Sequence, residues 1–136
     1  MEDKNCLFCN IHEKGVEILY ENNRFYSRYD KFPVNKGHVN IIIKKHIVSF
    51  FDLTKRDISD LLDAVKNTKT ITDITYNPNA YNIGINDGEE AGRTIHHLHI
   101  HLIPRYKGDV ENPKGGVRNI IPGKGDYTKL IDAKLE

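Results

Sequence analysis

The chain carries almost no surplus of charge: Lys plus Arg number 20, Asp plus Glu 19, and the formal net charge is +1. A general nucleic-acid binder or a membrane-surface protein needs a basic excess, so this balance argues against both. No apolar run approaches the ~20 residues of a membrane-spanning helix. Met1-Glu2-Asp3-Lys4-Asn5 has neither the basic nor the apolar region of a signal peptide. There is no internal repeat and no low-complexity tract. The expectation is a soluble, cytoplasmic protein with no nucleic-acid or membrane partner. At 136 residues the chain is long enough for one core and too short for two, so a single domain is expected.

Cysteine is nearly absent too. The only two, Cys6 and Cys9, are spaced Cys-x-x-Cys. In an intracellular protein such a pair is a metal-binding or redox-active pair rather than a structural disulfide. Histidine, by contrast, is plentiful. A closed structural zinc site takes four nitrogen or sulfur ligands, often Cys₂His₂, so the two residue types together favour metal.

Four of the seven histidines fall in His96-His97-Leu98-His99-Ile100-His101. Side chains alternate along a strand, so His97, His99 and His101 share one face, and Leu98, Ile100 and Leu102 share the other, where they can be buried. Folding does not require three imidazoles in a row on an apolar strand. They make a site able to bind metal, bind phosphate, or act as nucleophile and base. His96 points the other way and reads as structural.

Residues 16–20 and 24–29 read as strands joined by a turn at Glu21-Asn22-Asn23. A Pro- and Gly-punctuated loop over residues 30–37 leads to a strand over 38–44, whose Ile41-Ile42-Ile43 expects cover on both faces. Thr54 can cap a helix running to about Asp73, with Ile58, Leu61, Leu62 and Val65 at helical spacing. Asn77-Pro78-Asn79 ends it. A strand over residues 80–86, a glycine-containing loop over 87–92 and the histidine strand over 94–103 follow. The tail, with Gly108, Gly115, Gly116, Gly123 and Gly125, reads as ordered loops. The class is α+β, with the helix on one face of the sheet and the histidines on the other.

The run Gly92-Arg93-Thr94-Ile95-His96-His97-Leu98-His99-Ile100-His101-Leu102-Ile103-Pro104-Arg105 resembles the signature of the histidine triad (HIT) superfamily. Asp30-Lys31-Phe32-Pro33-Val34-Asn35-Lys36-Gly37-His38 and Lys44-Lys45-His46 resemble its second signature, and Cys6 to Cys9 matches the zinc-containing subset. The resemblance implies one HIT domain over residues 1–136, with a core over 5–106 and a loop-rich tail over 107–136. It implies a five-stranded antiparallel sheet with one main helix and a short N-terminal helix, dimerising into a ten-stranded sheet. The implied activity is that of a nucleotide hydrolase acting at the α-phosphate through a covalent nucleotidyl-histidine. His99 would be the nucleophile, His101 the phosphate contact, and His38 the upstream histidine bonded within the cluster. Asp30 would meet the ribose hydroxyls, while Asn86, Gly92, Arg93 and Thr94 would surround the phosphates. Cys6, Cys9, His46 and His97 would share one structural Zn²⁺.

The sequence departs from the family pattern at two places. Arg93 stands where Gln is usual, and a guanidinium there could grip further phosphates. Ile43 replaces a common Pro. The segment Gly115-Gly116-Val117-Arg118-Asn119-Ile120-Ile121-Pro122 is similar to the C-terminal part of Fhit-like dinucleoside polyphosphate hydrolases, so substrates such as diadenosine tetraphosphate are expected. A nucleoside phosphoramidase, a nucleotidyltransferase or phosphorylase of the same superfamily, and a nucleotide-binding interaction module are the alternatives.

Overall fold

Ile41, Ile42 and Ile43 are all fully buried, as a strand covered on both faces requires. They belong to β3 (Val39–Ile43), the middle strand of a five-stranded antiparallel sheet in a computed structural model that describes residues 5–129. The other strands are β1 (Tyr20–Glu21), β2 (Phe25–Tyr29), β4 (Ala80–Gly84) and β5 (His99–Arg105), in the order β1-β2-β3-β5-β4. The main α-helix, α1 (Lys55–Tyr76), crosses one face, and short 3₁₀ turns form at Leu7–Cys9, Phe50–Asp52 and Gly116–Ile120. The α+β architecture expected from the strand and helix pattern is therefore present. The reading of Met1 to Lys4 and the last residues of the tail, 130–136, lie outside the described residues.

Register assigns the faces. β3 pairs Ile41 with Ile100 and Val39 with Leu102, and these residues join Phe25, Ile43, Leu61, Ala64 and Leu98 in a core beneath α1. The intervening pairs, Asn40 with His101 and Ile42 with His99, turn to the opposite face. There Ile42 packs with Phe8 and Tyr26 in a second, smaller cluster, and the Tyr26 hydroxyl donates to the Phe8 carbonyl at 2.5 Å. The Leu7–Cys9 turn thus lies over the face that α1 leaves open.

The start of α1 follows its sequence signal. Thr54 and Asp57 form a reciprocal capping box, in which each side chain accepts from the other residue's backbone N–H. The helix runs to Tyr76, beyond the expected Asp73, and ends where Asn77 takes a left-handed φ of 50° just before Pro78. Its buried stripe also differs from expectation. Asp57, Leu61, Ala64, Thr68 and Thr72 face the sheet, whereas Ile58 and Leu62 are 40% and 52% exposed. Small and hydroxylated residues let the helix approach closely, and Thr68 Oγ1 donates to Ser27 Oγ on β2 at 3.0 Å.

Three strand bounds shift. The first strand is only Tyr20–Glu21, and the strand after α1 ends at Gly84. The histidine strand begins at His99, not at residue 94. Residues 95–97 form a bend, where His97 N–H donates to Ile95 O and Leu98 N–H to Ile47 O. Local turn bonds take the backbone groups that a longer ladder would have used. Among the described residues no helix is long and apolar enough to cross a membrane.

Candidate active site and metal centre

The covering turn carries Cys6 and Cys9 to His46 and His97. Cys6 Sγ lies 3.2 Å from His97 Nδ1, Cys9 Sγ 3.3 Å from His46 Nδ1, and Cys9 Sγ 3.5 Å from His97 Nδ1. All four candidate ligand atoms fall within 4.8 Å of one another. A tetrahedral ion with roughly 2.3 Å bonds to sulfur and 2.0 Å bonds to nitrogen sets its ligand atoms about 3.5–4 Å apart, so these residues fit a zinc-sized ion. His97 Nε2 donates to the Ile43 carbonyl at 2.5 Å, which fixes the tautomer and leaves the Nδ1 lone pair facing the cysteines. The four residues could hold a metal ion, and no cysteine pairing is needed to explain their proximity.

His99 and His101 are held in opposite tautomers. His99 Nδ1 lies 2.8 Å from the His97 carbonyl, and a carbonyl can only accept, so Nδ1 carries the proton and Nε2 keeps its lone pair. Burial pushes the His99 imidazole below its usual range, against the opposing pull of that carbonyl and of Asp30. For the other pair the reasoning starts at Val34, whose backbone N–H donates to His38 Nδ1 at 3.2 Å. His38 Nε2 must then carry hydrogen, and it donates to His101 Nδ1 at 2.9 Å. His101 is left with an Nε2–H donor. Burial, helped by His99 and His38, depresses His101 to about 4, so it stays neutral near pH 7. One ring offers a free electron pair and its neighbour, with ring centroids 5.0 Å apart, offers a hydrogen.

The loop ahead of β3 aims His38. Gly37 has φ +81°, and a Cβ there would sit 2.8 Å from the Tyr76 ring, so only glycine allows the close turn that delivers His38 to the cluster. Asp30 stands beside it: Oδ1 accepts from Phe32 N at 2.8 Å, and Oδ2 lies 3.6 Å from His38 Nε2 and 3.9 Å from His101 Nδ1. Burial alone would raise the Asp30 carboxyl, but the Phe32 N–H, His38 and the Asn40 amide outweigh it and hold it below the ordinary range.

His99, His101, Asp30, Asn86, Gly92, Arg93 and Thr94 all line one cavity of about 250 Å³. Gly92 has φ +99°, which favours glycine at the bend. Arg93 has no ion-pair partner among the described residues, Glu89 and Glu90 included, and its Nε is buried without a hydrogen-bond partner. His96 is exposed in the bend rather than packed on the far face of a strand. His97 is also outside the strand, yet its ring lies on the Phe8 side together with those of His99 and His101.

Two further lining residues were not singled out from the sequence, Arg28 and Asn40. Their signal was available. Asn40 is the lone polar residue of β3, Arg28 shares β2 with Ser27, and cross-strand pairing puts both on the His101 face.

Known proteins share this arrangement in sequence and in fold. The model of the HIT domain family matches residues 12–108. An uncharacterised HIT-like protein of Methanocaldococcus jannaschii is 35% identical over 119 residues, covering 85% of this chain and 91% of that one. A bis(5′-nucleosyl)-tetraphosphatase (asymmetrical) of Schizosaccharomyces pombe is 33% identical, but the match covers 70% of this chain and only about half, 52%, of that enzyme. Among solved structures, a zinc-bound histidine triad family protein of Mycobacterium smegmatis superposes with a TM-score of 0.71 at 28% identity, covering 79% of this chain and 80% of that one. With a matching fold and a histidine cluster in the matched segment, the chain belongs to the HIT domain family of nucleotide hydrolases and transferases.

Proposed function

We propose that this protein hydrolyses nucleotides at the α-phosphate through a covalent intermediate on His99, with dinucleoside polyphosphates as preferred substrates. The observation that carries this reading is the pair of opposite tautomers on neighbouring rings. The His99 Nε2 lone pair attacks phosphorus while the His101 Nε2–H donates to a phosphate oxygen, where charge builds in the transition state. The phosphorus–oxygen bond to the leaving nucleotide breaks, and that group departs as a phosphate anion that needs no proton. Water then attacks the same phosphorus, the nitrogen–phosphorus bond breaks, and the nucleoside monophosphate is released. His38 holds His101 in the donating tautomer. Asp30 supports that pair and would bind the ribose hydroxyls, and Asn86, Gly92, Arg93 and Thr94 would surround the phosphate chain. The unpaired Arg93 guanidinium and the name of the Schizosaccharomyces pombe relative favour substrates with more than one phosphate.

Cys6, Cys9, His46 and His97 would hold one zinc ion. Four protein ligands leave no open position, so its contribution would be structural, tying the covering turn to the backbone beside His99. Homodimerisation through β4 is part of the proposal, since β4 is an edge strand and its Ile83 is 52% exposed.

The test is a substrate panel of diadenosine triphosphate and tetraphosphate, adenosine phosphoramidate and nucleotide sugars, with and without inorganic phosphate, run in ¹⁸O-water. The expected result is AMP plus ATP from diadenosine tetraphosphate, with ¹⁸O in the AMP. Turnover confined to the phosphoramidate would replace this reading with the phosphoramidase. Turnover that requires added phosphate would replace it with a phosphorylase.

A further inference from the structure

We propose that Arg28 and Asn40 form a base-reading pair that selects nucleotides whose base edge carries a hydrogen-bond acceptor beside an N–H donor; this rests on the reading of the His99 cavity as a nucleotide site. The two residues are direct cross-strand partners on β2 and β3, and Asn40 is in turn the partner of His101 on β5. The row Arg28–Asn40–His101 therefore runs from the nucleophile's neighbour to the far side of the sheet, and all three line the cavity. Arg28 is 2% exposed and Asn40 5%. Burying an arginine and an amide is expensive unless every polar atom is bonded, yet Arg28 Nε and Asn40 Oδ1 have no hydrogen-bond partner among the described residues. One is an open donor and the other an open acceptor.

The surroundings define what would satisfy them. The charge of Arg28 is already met by Glu13, 2.8 Å from Nη1, and Glu13 also binds Lys31 at 2.7 Å. A further phosphate is a poor fit beside that carboxylate and beside an amide oxygen that can only accept. A neutral group offering an acceptor to Arg28 and a hydrogen to Asn40 is the complement. Apolar lining is supplied by Leu7, Phe8 and Ile95, with the Arg28 guanidinium 5.0 Å from the centroid of the Phe8 ring. A planar heterocycle with a paired acceptor and donor fits these conditions, and the 6-amino and 6-oxo purines both present that edge. Purine riboside presents ring acceptors but no edge donor, so it would leave Asn40 Oδ1 unsatisfied.

The experiment measures binding of AMP, GMP and purine riboside 5′-monophosphate to the unaltered protein, Asn40→Leu and Arg28→Lys by calorimetry. Nucleoside monophosphates are the proposed products, so no turnover intervenes. The unaltered protein is expected to prefer AMP, GMP or both over the purine riboside nucleotide by about tenfold or more, the scale of one well-made hydrogen bond to a buried group. Asn40→Leu should reduce that ratio to about twofold or less. Arg28→Lys keeps a cation for Glu13 but removes the Nε donor, and should weaken all three nucleotides, since each offers an acceptor, while leaving the ratio near that of the unaltered protein. For Asn40→Leu the readout is a ratio within each protein, so a partly unfolded variant lowers all affinities together and does not mimic the effect. Preference for AMP over GMP, or the reverse, identifies which purine edge is read. Equal affinities for all three in the unaltered protein, a ratio unmoved by Asn40→Leu, or affinities unmoved by Arg28→Lys, overturn the base-reading pair alone. No binding of any of the three at millimolar concentration overturns the nucleotide reading and this inference with it.

Discussion

The two faces of the sheet are built from the same strands by opposite means. Beneath α1, Val39, Ile41, Ile43, Ile100 and Leu102 are at most 2% exposed and touch one another, so that face is held by removing apolar surface from water. On the other face, Arg28, Asn40, His38 and His97 are each at most 5% exposed, and the rings of His99 and His101 lie beside them. That face borders a cavity, whose rim is built by the Leu7–Cys9 turn and by residues of the loops around 30–32 and 86–95. The first face needs only a helix with an adequate stripe. The second needs a particular partner for nearly every polar atom, and where partners are missing a ligand is implied.

The sharpest break in this comparison is His99→Ala. It should lower kcat/KM on diadenosine tetraphosphate by at least about 10³-fold while moving the urea midpoint little, because the removed ring borders the cavity rather than the core. Comparable turnover in the variant and the parent would remove His99 as nucleophile. The mirror experiment is Ile41→Ala, which deletes a fully buried side chain on the α1 face. Its expected cost is about 2–5 kcal/mol of stability with an unchanged denaturant slope. Activity per folded molecule should stay near that of the parent. A loss below about 1 kcal/mol would mean that the α1 face collapses around the gap and is less specific than its packing suggests.

Cys6→Ala tests what covers the second face. The parent is expected to carry one zinc per chain, and the variant to lose metal, to melt at lower temperature and to become insensitive to chelator. Metal analysis without zinc in parent protein prepared free of chelator would sink the zinc reading. Arg93→Gln should cut kcat/KM for diadenosine tetraphosphate by roughly 10- to 150-fold, the worth of one charge-assisted contact, and leave adenosine phosphoramidate nearly untouched. Equal losses on both substrates would deny Arg93 a role along the phosphate chain. The smallest effect belongs to Thr54→Ala, which removes half of the α1 capping box at a cost of about 1 kcal/mol with no change in substrate preference.

Where sequence reading succeeded, the signal was local. Alternation through Leu98, His99, Ile100, His101 and Leu102 assigned each residue to its face, and Thr54 with Asp57 marked where α1 starts. Where it went astray, something distant intervened. Of Ile58, Leu61, Leu62 and Val65 at helical spacing, Leu61 and Val65 pack on the core, but the buried stripe continues through Asp57, Ala64, Thr68 and Thr72 while Ile58 and Leu62 turn outward. The histidine strand starts late because the Ile47 carbonyl takes the Leu98 N–H and the Ile43 carbonyl takes the His97 ring. Arg28 and Asn40 carry a local signal, a polar residue within an apolar or aromatic strand, but an arginine or asparagine in a strand is ordinarily solvated, and only packing against distant groups buries these two.

By itself, then, the sequence determined the residue types, their faces and their order: an apolar strand with imidazoles on one side, a capped helix, and a cysteine pair with spare histidines. Only the tertiary structure decided that Cys6 would meet His97 across 91 residues, that His99 and His101 would hold opposite tautomers, and that Arg28 and Asn40 would be buried beside a cavity with polar atoms left unsatisfied among the described residues. The physical reason is range. Propensity and alternation act between neighbours in the chain, whereas a tautomer, a depressed pKa or an unmet hydrogen bond depends on which distant group packs against it and whether water is shut out.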